Sequence, residues 1–174
     1  MNNEVLQNIR TRRSCRAYTA QPVEPEKLKA ILEAGTWAAS GHGWQAAKIV
    51  VLQDAAEIAE LERMNAAVLG NPDSHPFYGA PTVLVVLADA KAGTAVEDGS
   101  LVLGNLMNAA SALGIGSCWV NRAQEVFASA EGKALLEKCG VQGDYIGVGN
   151  CILGYPAETP AAKPIKENRL YYVR

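Results

Sequence analysis

Four arginines, Arg10, Arg12, Arg13 and Arg16, fall within seven residues in the run RTRRSCR. Arginine carries a planar fork of N–H donors that matches the oxygens of a phosphate, and Ser14 adds a hydroxyl to the same run. Such a cluster is either a phosphate cradle or a solvated basic face, and the cluster alone leaves both readings open. The net charge is −2, so no whole-molecule field draws the chain to nucleic acid or to an anionic membrane. Any anion must be held locally. No G-x-G-x-x-G follows a strand and no G-x-x-x-x-G-K-S/T occurs, which excludes a Rossmann dinucleotide fingerprint and a P-loop. A nucleotide phosphate would have to be gripped by side chains such as these arginines.

Two further segments have residue types suited to a ligand. In WAASGHGWQ, Trp37 to Gln45, small residues allow a flat molecule close to the backbone, and Ser40 and Gln45 can meet its polar edge. An ordinary glycine-rich helix-to-strand connection has the same composition. In GNLMNAASALGIGSCWVN, Gly104 to Asn121, most positions read as packing, and only Cys118 to Asn121 lies where a ligand would touch. Cys15, Cys118, Cys139 and Cys151 are widely spaced and form no C-x-x-C, against a zinc or iron–sulfur site. Buried, reduced thiols are the expectation, although the arginines around Cys15 raise the alternative of a reactive thiolate. His42 and His75 read as loop residues. No Ser/His/Asp set or paired carboxylates suggest acid–base catalysis.

The elements that must position these residues alternate along the chain. Helices are expected over Glu4 to Thr11, from Pro25 with Leu28, Ile31, Leu32 and Trp37 as its apolar stripe, and over Ala55 to Leu69 up to the Gly70 break. Two more are expected over Glu97 to Leu113, buried nearly all round in a core or against a partner, and over Gln124 to Cys139. Strands are expected at Lys48 to Gln53, Thr82 to Asp89, Ser117 to Val120 and Tyr145 to Leu153. From Ala157 onward a proline-rich, polar tail ending in LYYV reads as an extended arm that needs a surface to lie on. Interleaved strands and helices around four or more strands give an α/β or α+β sandwich, here taken as a single domain over residues 1–174. No apolar run is long enough to span a membrane and the first residues lack a secretory pattern, so a cytoplasmic protein is expected.

In order, RRSCR, AASGHGWQ before a valine-rich strand, HPFYGAPTVLVVLAD, LVLGNLMNAASALGIGSCWV, VGNCILGYPAE and KPIKENRLYYV resemble the nitroreductase family nearly end to end. The resemblance implies an α+β three-layer sandwich, a mostly antiparallel central sheet flanked by helices, and a homodimer with exchanged C-terminal arms. It also implies FMN at each subunit interface, NAD(P)H as electron donor and a small organic acceptor, reduced by a ping-pong cycle. By position, Arg12, Arg13, Ser14 and Arg16 would hold the FMN phosphate, ribityl chain and pyrimidine edge, with Arg16 near N1 and O2. Ala39, Ser40 and Gly41 would come from the second subunit along the ring. Trp119, Val120 and Asn121 would lie near N5, and Lys163 and Lys166 would close over the phosphate.

The chain departs from the family pattern at the loop SGHGWQAA. Gly43 stands for an asparagine, and Ala46 and Ala47 for proline and tryptophan. Ile165 replaces a common arginine, and the segment between Asp89 and Glu97 lacks a helical cover, which predicts an open pocket. Flavin storage without NAD(P)H turnover is one alternative. Dehalogenation, ene reduction or flavin fragmentation on the same scaffold is another.

Overall fold

The computed structural model describes residues 3–174. Helix α1, Glu4–Thr11, starts where the Asn3 side chain accepts from the backbone N–H of Val5 and Leu6. Helix α2, Pro25–Thr36, has its proline in the first turn, where no N–H is missed. Strand β1, Ala47–Leu52, leads into α3, Ala55–Leu69, which Asp54 caps and a left-handed Gly70 ends. Then follow β2, Thr82–Asp89, and α4, Ala95–Ala112. Next come β3, Gly116–Val120, α5, Ala123–Ala128, α6, Ala130–Lys138, and β4, Tyr145–Gly154.

The four strands form one antiparallel sheet in the order β1-β2-β4-β3. The run from Thr82 to Ala88 is buried throughout, because both faces of β2 are covered. Val83, Val85 and Leu87 enter a core with Leu61 of α3, Phe127 of α5 and Leu135 of α6, whereas Leu84, Val86 and Ala88 enter a second core with Ile31 of α2 and Leu103 and Leu106 of α4. This period of two produces three layers, helix on sheet on helix. The register shifts between Val86 and Leu87, and Val148 of β4 is the extra residue. The bulge sends Val148 onto Gly99 of α4, where an added Cβ would lie 2.5 Å from its Cγ2.

Two expectations need correction. The helix over Gln124 to Cys139 is two helices, because Ser129 is extended (φ −74°, ψ 160°), ending α5 and capping α6 through Gly132 N–H. Trp37 belongs to no buried stripe. It follows the last turn of α2 and is 79% exposed. Helix α4, expected to be buried in a core or against a partner, leaves Val96 and Leu101 exposed within one chain. The chain beyond β4 is extended. Its start is tied down, with Ala157 N–H donating to Ala17 O (2.9 Å) and Tyr18 bridging Pro156, while Ile165 and Leu170 to Val173 stand exposed.

Candidate functional site

The arginine run begins where α1 stops. Arg12 leaves helical geometry (φ −53°, ψ 135°), and Arg13 Nη1 donates to Arg10 O and Arg12 O, both at 2.7 Å. Arg13 therefore fastens the helix end with one nitrogen. Arg12 Nη1 is buried and has no acceptor, a charged donor left over for an anion. Ser14 forms a parallel bridge to Ser117, and Cys15 N–H donates to Ser117 O at 2.9 Å, so the run is stitched along β3. Arg16 N–H then donates to Glu158 Oε1 at 2.5 Å, which joins the run to the root of the arm.

That stitching brings Arg16 to the end of β3. Arg16, Trp119, Val120 and Asn121 line one open cleft of about 370 Å3. The volume lies within the range of small-molecule sites. Buried Asn65 of α3 donates from Nδ2 to Asn121 O at 2.8 Å, which fixes the strand end. Arg122 follows in a left-handed conformation (φ 75°) and also lines the cleft. His75 and Tyr78 face the same cleft, a placement sequence reasoning missed because nothing in the spacing shows that the 74–79 loop folds over β3. His75 Nδ1 lies 3.4 Å from Glu62 Oε2, and Glu62 Oε1 accepts from Phe77 N–H at 2.7 Å.

The remaining expected residues lie elsewhere in the protomer. Ala39 and Ser40 line a second cleft of about 460 Å3, between α2, β1 and α4. Ser40 Oγ accepts from Gln45 N–H at 3.0 Å, and Gly41 N–H donates to Asp98 of α4. Lys163 and Lys166 are exposed on the arm and line neither cleft. The four-part site is thus divided within one chain: Arg16 and the strand end line one cleft, Arg12, Arg13 and Ser14 precede Arg16 in the run without lining it, the Ala39–Gly41 stretch stands at another cleft, and the lysines line neither.

Cys15 is buried and its Sγ donates to Ala17 O at 3.1 Å. Burial pushes its thiol up, with the Ala17 contact opposing, so packing prevails over reactivity. Fully buried Cys151 is pushed up from 9.0 to about 12, again mainly by burial. Burial also raises Tyr18, whose hydroxyl donates to Cys15 O at 2.7 Å. Both groups hold their protons more tightly folded than unfolded, so their stabilisation is complete below pH 9 and is lost as pH climbs toward the folded values. Tm is expected to fall progressively above pH 9, and Cys151→Ala to flatten that fall. Thermal scans from pH 8 to 10.5 that superimpose for parent and variant would contradict this.

The chain is a three-layer α+β sandwich in which an arginine run is stitched along β3 and an open cleft lies at that strand's end. The chain belongs to the nitroreductase family, which it matches over residues 9–155. It is 30% identical to a nitroreductase from Bacteroides fragilis solved with bound FMN, with a TM-score of 0.91 covering 99% of this chain and 100% of that one. A nitroreductase from Desulfitobacterium hafniense, also with bound FMN, is 28% identical at the same TM-score over the full length of both chains. The FMN reductase (NAD(P)H) of Bacillus subtilis is 25% identical over 187 residues, covering 93% of this chain and 70% of that protein. Among the described residues no helix is long and apolar enough to cross a membrane, and no cluster of His, Cys, Asp and Glu suits a metal.

Proposed function

We propose that this chain is a cytoplasmic, FMN-dependent oxidoreductase of one domain over residues 1–174. It takes hydride from NAD(P)H and passes it to small organic acceptors such as nitroaromatics or quinones, by a ping-pong cycle in one pocket. The observation that carries the reading is the single cleft joining Arg16 to Trp119, Val120 and Asn121. FMN, when bound, supplies the two-electron carrier. The chain's own residues bind and orient it. Arg12, Arg13, Ser14 and Arg16 take its anionic and polar groups, and the orphaned donor of Arg12 fits that task. Arg16 would supply a fixed cation to the pyrimidine edge of bound FMN, where charge accumulates on reduction. The end of β3, held by Asn65, sets the reacting edge.

The second wall comes from a second copy in this reading. Ala39, Ser40 and Gly41 line or border the other cleft of their own chain, so they serve a partner's cofactor, and Lys163 and Lys166 reach it on the exchanged arm. Two features support the homodimer. Strand β1 lies at the sheet edge with only β2 as neighbour, and such an edge seeks cover. The arm, α1 and α4 meanwhile expose Leu170, Tyr171, Val5, Ile9 and Leu101.

The test is an absorption spectrum of the purified protein with FMN, before and after anaerobic NADH or NADPH. A flavin band that bleaches with either donor, and returns when a quinone is added, is the expected result. A protein that takes up no flavin sinks the reading. Flavin that binds and never bleaches selects storage instead, an outcome made specific by the altered 40–47 loop, with His42 and Gln45 at φ 52° and 49°.

A further inference from the structure

Helix α4, weakly polar along most of its length, buries a carboxylate. Asp98 is 3% exposed and lies in the first turn of α4. Its Oδ1 accepts from Gly41 N–H at 2.9 Å, while Oδ2 is buried without a partner. A buried charged oxygen left unpaired costs stability, offset in part by the helix dipole at that turn. The same turn region grips Gly41 from another side. A Cβ on Gly41 would stand 2.3 Å from Oγ1 of Thr94, the residue before α4. The loop so held needs a firm anchor, because His42, Gly43 and Gln45 all sit at positive φ, two of them without glycine's freedom. Within the loop, one side-chain bond helps, Ser40 Oγ to Gln45 N–H.

We infer that Asp98 is a positioning residue for the flavin site, acting through Gly41 to fix the Ala39–Gly41 stretch against the partner's cofactor. The inference rests on the flavin reading above. Asp98 touches no ligand itself. Its Oδ1 sets where Gly41 lies, and Gly41 sets the backbone that faces the ring. The test is the FMN dissociation constant, read by quenching of flavin fluorescence, for Asp98→Ala, Asp98→Ser and Asp98→Asn. Asp98→Ala and Asp98→Ser, which cannot reach Gly41, are expected to weaken binding about 10-fold. Asp98→Asn keeps a carbonyl oxygen for Gly41 and is expected to stay within about threefold of the parent. Asp54→Ala removes the cap of α3, far from the loop, and lowers Tm without moving flavin affinity. Parent-like affinity in folded Asp98→Ala or Asp98→Ser overturns the inference, as does a tenfold loss in folded Asp98→Asn or in Asp54→Ala. A parent that binds no FMN strikes the flavin reading instead.

Discussion

An Arg16→Ala variant is expected to bind FMN on the order of 30-fold more weakly than the parent, with Arg16→Lys recovering much of the loss. A hydrogen bond to a charged group contributes about 1.5–3 kcal/mol, or roughly 10- to 150-fold in a dissociation constant. The side chain is a clean target. What anchors residue 16 to the fold is its backbone N–H on Glu158, which substitution leaves intact. Arg16 is exposed, so its removal opens no cavity and Tm should hardly move. The same cation is proposed to stabilise negative charge on the reduced cofactor. Arg16→Ala should therefore also lower the two-electron potential by about 30 mV for each 1.4 kcal/mol lost. Fluorescence titration and dye-equilibrated spectra read the two effects separately. Unchanged affinity together with an unchanged potential would remove Arg16 from the site.

The second large effect concerns stability, and it reaches the site through the backbone. Gly147 of β4 packs under α5, where an added Cβ would lie 2.2 Å from Ala123 O and 2.4 Å from Ala123 C. Those are main-chain atoms and cannot rotate away. Gly147→Ala must push α5 off the sheet, and overpacking of this kind costs about 3 kcal/mol, roughly 10 °C in Tm for a chain of this size. Ala123 directly follows Val120, Asn121 and Arg122, so the displacement is carried into the cleft. A lowered Tm with weaker flavin binding is expected, measured by thermal unfolding and by titration well below the transition. A Gly147→Ala protein as stable as the parent would mean that α5 packs more loosely than these distances imply.

Much of the fold could be read from residue order because local and global signals agree. The unbroken apolar run of β2 needs cover on both faces, and Pro25 and Gly70 punctuate their helices as expected. The break at Ser129 carried a weaker signal. No glycine or proline marks it, and the cue is a serine three residues before Gly132, whose N–H it caps. Trp37 matched the helical period of α2 but falls one residue past its end, where period no longer decides burial. Of the candidate site, the family resemblance supplied residues and roles, and the fold brings only part of them together. Arg16 and Asn121 are 105 positions apart in the chain, and the Ser14–Ser117 bridge that unites their segments is a tertiary event. Asp98 was hidden because two adjacent acids, Glu97 and Asp98, at the start of a nonpolar helix read as its solvated edge. His75 and Tyr78 were hidden because a loop's path is set by what it packs on.

The division of one protomer into two separate half-sites has a genetic corollary. In the proposed dimer, a lesion at Arg16 and a lesion at Gly41 damage opposite contributions to each cofactor pocket. Co-expressing two such inactive alleles would yield hybrid assemblies in which one pocket inherits both defects and its twin inherits neither. Intragenic complementation, with activity restored from two dead parents, is the behaviour this architecture builds in.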